Sequence, residues 1–169
     1  MPIPAKREPK IDVEGSDIVS TALMTLLNNF PGLNKKQKIT FSTLAEDAGI
    51  SFFPTSGAVL LTNKESITGH VRQTCSYPFN IVYRAALKTE KQRLRAKEFL
   101  DTLGRWLERQ PVTLKDEAYT LSEYPALEKG RKIKSITRST PAFLERAYQD
   151  GIEDWIIRLN LRYDADYYK

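Results

Sequence analysis

A strand-like stretch from Thr68 to Leu87 runs directly into an amphipathic helical segment, and this junction constrains the fold more than any other part of the chain. Phe79, Ile81, Tyr83 and Ala85 alternate with Asn80, Arg84 and small apolar residues, the period of a sheet buried on one face. Beyond it, Ala96, Phe99, Leu100, Leu103, Trp106 and Leu107 recur at steps of three and four, which places them on one side of a helix. Thr89 and Gln92 have the spacing of a capping box and Pro111 limits the far end, so the helix is predicted over 90–109. Pro78 has no amide hydrogen to donate, and a bend or bulge is expected at Tyr77-Pro78.

Upstream, three prolines and mixed charge mark residues 1–15 as a mobile arm. Ser16 reads as an N-cap for a first helix over 17–29, whose stripe is Val19, Leu23, Leu26, Leu27 and Phe30, and Pro31-Gly32 ends it. Ile39–Thr43 alternates as a short strand. Ile50–Phe53 and Ala58–Thr62 flank the turn cluster Pro54–Gly57 and read as a hairpin. Between Pro111 and Gly130 no period holds, which predicts a long excursion tacked down by Leu114, Tyr119, Leu121 and Leu127. Strand patterning resumes over Arg131–Arg138. Two further strands, Ala142–Gln149 and Ile152–Tyr163, are joined by Asp150-Gly151, a strong hairpin signal. Along the last strand Trp155, Ile157, Leu159, Leu161 and Tyr163 face the core, and Trp155 is expected to share a packing layer with Trp106.

This order predicts an α+β fold, a mainly antiparallel sheet with two helices packed on one face. The chain of 169 residues is expected to form a single domain over 16–169. No apolar run approaches the roughly 20 residues that cross a bilayer, and residues 1–10 lack the apolar centre of a signal peptide, so no membrane association and a cytosolic site of synthesis are expected. The single cysteine, Cys75, excludes an internal disulfide and a multi-cysteine metal site.

Chemistry is sparse. The only histidine, His70, lies five residues from Cys75, so on one strand the two project to opposite faces and make no Cys-His pair. Gly130–Ser135 lacks the second glycine and the ending of a phosphate loop. The carboxylate pairs Asp116-Glu117 and Glu153-Asp154 have no supporting metal ligands, and no catalytic residue, cofactor or metal is assigned.

Charge offers more. The net charge is +5, concentrated in Arg84, Lys88, Lys91, Arg93, Arg95 and Lys97 and again in Lys129, Arg131, Lys132, Lys134 and Arg138. Such runs serve either as nucleic-acid contacts or as solvated faces and guarded strand edges. On a regular strand Lys132 and Lys134 share a face with Arg138, and Arg131 points the other way. The candidate interface residues are therefore Arg131, Lys132, Lys134 and Arg138 on this strand, with Tyr119 and Tyr124 in the excursion.

Three stretches carry a family resemblance in combination: Cys75–Ala85 (CSYPFNIVYRA), Lys97–Glu108 (KEFLDTLGRWLE) and Trp155–Tyr163 (WIIRLNLRY). With the order of elements they make the chain, over roughly 16–168, resemble the tail-terminator proteins of phages and prophages of Gram-positive bacteria, often labelled minor capsid proteins. The resemblance implies a non-enzymatic virion protein that forms a hexameric ring at the head-proximal end of the tail after assembly in the host cytoplasm. The ring would stop polymerisation of the tail-tube protein and meet the head–tail connector, with phage DNA threading it without specific recognition. The alternative reading is a small basic nucleic-acid-binding module built on residues 84–97 and 129–138, and an enzyme comes third.

Overall fold

The computed structural model describes residues 10–169. In chain order its elements are α1 (Val13–Asn28), β1 (Ile39–Phe41), β2 (Gly49–Pro54), β3 (Val59–Glu65), β4 (His70–Ala86), α2 (Glu90–Leu107), β5 (Val112–Leu114), β6 (Glu117–Tyr119), β7 (Arg131–Arg138), β8 (Phe143–Ala147) and β9 (Ile152–Tyr168). The fold is α+β.

Its axis is a two-stranded ribbon. β4 and β9 pair antiparallel without a register shift from His70 opposite Tyr168 to Ala86 opposite Ile152. Each long strand carries two short partners laid end to end on its outer side: β3 and then β2 along β4, β7 and then β8 along β9. The hairpin expected between Ile50–Phe53 and Ala58–Thr62 is thereby corrected, because these strands pair with β4 and not with each other. β1 joins β2 in parallel.

Pro78 explains the arrangement. No bend or bulge occurs at this point of β4, where Pro78 stays in register opposite Asn160. Its carbonyl accepts from the Thr55 amide at 3.0 Å and so faces β2 and β3, at the break between them. A strand residue's N–H and C=O point to the same side, so the missing donor falls where no ladder bond is needed.

The helices begin where side chains satisfy their free amides. In α2 the expected Thr89/Gln92 capping box is formed. α1 starts three residues before the expected cap, because the Asp12 carboxylate accepts from the Gly15 amide at 3.0 Å. Ser16 instead accepts from the Ala58 amide at 2.7 Å, tying the helix to the start of β3. Residues 1–9 of the expected arm lie outside the described residues. Lys10 and Asp12 bond to Leu60 and Ala58 through the backbone, and Ile11 bridges Val59.

Both helices cover the face of the ribbon that presents Cys75, Tyr77, Phe79, Ile81, Ile157, Leu159, Leu161 and Tyr163, all at most 1% exposed. Val19, Leu23 and Leu27 of α1 meet Leu100, Leu103 and Leu107 of α2 in one core. Phe30 links the helices, 5.3 Å from the Trp106 ring and 5.7 Å from that of Phe99. Trp155 lies on the same side of the sheet but only half-buried at the rim, so the expected common layer with Trp106 is corrected to centre and edge.

The excursion contains an unforeseen hairpin, β5 and β6, turned by Lys115 and Asp116 at φ 49° and 67°. The expected hairpin of β8 and β9 is formed, with positive φ in its turn at Gly151 and not at Asp150, unlike the type I′ turn that Asp-Gly favours. Gly130 closes the excursion at φ 71°, and a Cβ there would stand 2.2 Å from the Asp166 carbonyl oxygen. That neighbour is backbone and cannot swing aside. Gly130→Ala should cost on the order of 3 kcal/mol in denaturant unfolding, from left-handed strain plus the clash; an unchanged midpoint would contradict the close approach.

Candidate interaction surface

The basic strand β7 divides its side chains between two faces. Its register against β9 shifts between Ile133 and Ser135, an inserted bulge that leaves Ile133 and Ile136 both buried. Residues on either side of the bulge therefore do not follow simple alternation. Lys132 and Lys134 point to the open face of the sheet, where Lys134 Nζ lies 3.1 Å from Asp164. Arg138 points to the helix side, its stem close to Gly104 of α2 and its guanidinium donating to Glu108, so the expected shared face of Lys132, Lys134 and Arg138 is corrected.

Arg131 points the opposite way from Lys132, as expected, and is committed inside the fold. Its Nε and Nη2 donate to the two carboxylate oxygens of Asp12 at 3.0 and 2.9 Å, and Tyr163 donates to the same carboxylate at 2.8 Å. Burial alone would raise the Asp12 pKa; the bonds from Arg131, Gly15 and Tyr163 outweigh it and hold the carboxyl below its usual range. Burial pushes the Tyr163 phenol far up, reinforced by its bond to Asp12. The group that caps α1 thus also clamps β7 to β9. Asp12 in the pattern Asp-Val-Glu-Gly was the available sequence signal, obscured by Ser16, an equally good cap.

Of the excursion tyrosines, Tyr124 is structural. Its hydroxyl donates to the Leu107 carbonyl at 2.7 Å and accepts from the Ile136 amide at 3.3 Å, joining the end of α2 to the free edge of β7. Tyr119 is half-buried with its hydroxyl donating to Glu117 at 2.6 Å. Arg109 donates to the carbonyls of Leu121 and Ser122 and stacks on Tyr124. Between the segment 123–127 and β7 lies an open cleft of about 880 Å³, edged by Arg72, Lys132, Lys134 and Asp164.

The other basic stretch does not form one patch. Arg84 makes a two-pronged bond to Asp154 on the open face, at 2.7 and 2.9 Å. Arg93 pairs with Glu153 on the helix side at 3.0 Å, and Lys97 with Asp101 at 2.6 Å. His70 faces away from the core beside Asp166 at 3.2 Å, whereas Cys75 is fully buried on the opposite face, as the strand period predicted. Burial raises the Cys75 thiol. Among the described residues no group of three or more potential metal ligands occurs, and no helix is long and apolar enough to cross a membrane.

No family model and no curated protein matches the sequence. Among solved structures, a chain of the virion of a native gene transfer agent particle is similar at 11% identity with a TM-score of 0.50, covering 92% of this chain and 100% of that one. At this identity the likeness concerns the fold.

Proposed function

We propose that this chain is a structural protein of a phage-like virion, a tail-terminator subunit that forms a hexameric ring at the head-proximal end of the tail. The observation that carries the reading is the fold shared over nearly all of both chains with a component of a virion particle. The resemblance of Cys75–Ala85, Lys97–Glu108 and Trp155–Tyr163 to tail terminators narrows it. In this role the ring ends the tail tube on one side and meets the head–tail connector on the other.

The edges of the sheet fit such an assembly. β3 and β7 are the opposite outer strands of one four-stranded stretch, β3-β4-β9-β7; Lys10 and Ile11 cover only the start of β3, at Val59 and Leu60, and Tyr124 meets β7 at the Ile136 amide. A contact from β3 of one subunit to β7 of the next is heterologous and closes a ring when the rotation per subunit allows. Leu61 on β3 is 48% exposed and Ile67 in the following turn is fully exposed, apolar surface that an edge contact would cover. Lys132, Lys134 and Tyr119 are the candidate contacts with neighbours, while Arg131, Arg138 and Tyr124 hold them in place.

Mass measurement and negative-stain imaging, with the protein alone and with tail tubes, test the proposal. Rings of six 19.3 kDa chains, free or on tube ends, are expected. Leu61→Glu should disperse them without unfolding the chain, and reversing both Lys132 and Lys134 to Glu should impair tail completion. A protein that stays monomeric at high concentration and never decorates a tube end would overturn it.

A further inference from the structure

The helices cover one face of the sheet and leave the other uncovered, and the excess positive charge collects on that open face. Over the stretch β3-β4-β9-β7 the open side presents Lys64, Arg72, Lys132, Lys134 and Arg162 against only Asp164 and Asp166, and Arg158 follows one step beyond it on β9, where the next acid of the face, Asp154, is taken by Arg84. Both acids are already engaged. Asp164 takes Lys134 at 3.1 Å and the Thr74 hydroxyl at 3.0 Å, and Asp166 takes Arg72 at 3.1 Å and His70 at 3.2 Å. Among the described residues Lys64, Lys132, Arg158 and Arg162 form no ion pair.

Arg158 and Arg162 stand four residues apart on β9, facing the same way and about 13 Å from each other. Both are exposed, and the Arg158 guanidinium is held 5.3 Å over the Phe143 ring, which limits its freedom before any ligand arrives. Between the two cations lie small hydrogen-bonding side chains, Ser76 donating to Asn160 at 2.6 Å. The apolar side chains of this face are Val59 and Pro78 beside Ser76 and Asn160, Phe143 beneath Arg158, and Val82 and Ile156 toward the other end.

Chemistry separates the possible occupants. Protein interfaces concentrate their energy in apolar or aromatic anchors set in desolvated pockets; here Phe143 is covered by the Arg158 guanidinium and Tyr168 is 74% exposed against His70, so neither is such an anchor. Phosphate oxygens are instead met by Arg, Lys, Ser, Thr and Asn side chains spread over a surface. We propose that the open face of β3-β4-β9-β7 binds the phosphate backbone of duplex DNA, with Arg158 and Arg162 as its principal contacts. Both helices lie on the opposite face, so nothing enters a groove and the contact reads no base sequence. The site takes Lys132 and Lys134 from the stretch 129–138 but has its principal contacts on β9, outside both basic stretches, whose cations are divided between faces, and it does not depend on ring formation.

Fluorescence anisotropy with a labelled duplex of about 20 base pairs, titrated from about 50 to 300 mM salt, tests the assignment. The Arg158→Ala/Arg162→Ala variant should bind about tenfold or more weakly at the low-salt end, with a salt slope shallower by about 1.8, at roughly 0.9 per lost phosphate contact. Arg95→Ala/Arg105→Ala removes the same charge from the exposed side of α2 and should stay within about twofold of the parent. A duplex of shuffled sequence should bind equally. Absence of binding at about 50 mM salt, or equal loss in the α2 control, would overturn the proposal. Displacement of the duplex by poly-glutamate at equal charge concentration would overturn it in favour of an acidic protein surface. Mass measurement of the β9 variant reports separately on assembly.

Discussion

Replacing Trp106 by Ala should lower stability by about 3 to 5 kcal/mol, whereas Trp155→Ala should cost about 1 to 2 kcal/mol. Trp106 is 5% exposed and stacks against Phe30, so its removal leaves a cavity between two helices and the sheet that the packed neighbours cannot close. Trp155 stands at the rim beside water, with its indole N–H donating to Glu153 at 3.1 Å. Glu153 keeps Arg93 when that donor is lost. Urea unfolding of the two variants measures the difference, and equal losses would contradict the centre-and-rim placement. For a domain of ordinary stability, the Trp106 change alone threatens folding.

Arg131→Ala should destabilise the protein by about 3 kcal/mol at pH 7, because it strands the Asp12 carboxylate, with only 15% of that side chain exposed, without its cation. The loss should depend on pH in a defined direction. Asp12 is held below its unfolded value near 4, so the stability it contributes is fully present above that pH and fades as the pH falls through the folded value. The gap between parent and variant should therefore narrow on acidification below about pH 4. Unfolding curves at pH 7 and pH 3 check this; a gap that does not narrow would mean that Arg131 stabilises through packing of its stem.

Local pattern carried the long elements. The stripe from Ala96 to Leu107, its Thr89/Gln92 box and the alternation of Trp155–Tyr163 depend on neighbours three or four residues apart, or on alternate residues, and all three appear as read. Pairing was less legible. β2 and β3 have the pattern of a hairpin, but alternation specifies only which face of a strand is buried, never which edge it joins, and a partner as long as β4 accommodates both. The turn at Lys115-Asp116 was hidden because its positive φ falls first on a lysine and no glycine follows the aspartate, so the usual Asn-Gly or Asp-Gly signal is missing.

The candidate surface shows the same division. Its charges were visible in the sequence, but their direction was not: one bulge at Lys134 sends Arg138 to the helix side while Lys132 and Lys134 stay outside. The period of the last strand puts Arg158 and Arg162 on its outer face with Asn160 and Asp164, but four-residue spacing on an alternating strand does not distinguish free cations from paired ones. By itself the sequence determined the class of fold, the two helical faces, the central buried strand and the excess of positive charge, since each is a property of composition or of short-range period. Only the tertiary structure decided which cations are neutralised, because Asp12 meets Arg131, Glu108 meets Arg138 and Asp154 meets Arg84 across separations of 30 residues or more. Ion pairing over such distances depends on how the chain closes, and no local period records it.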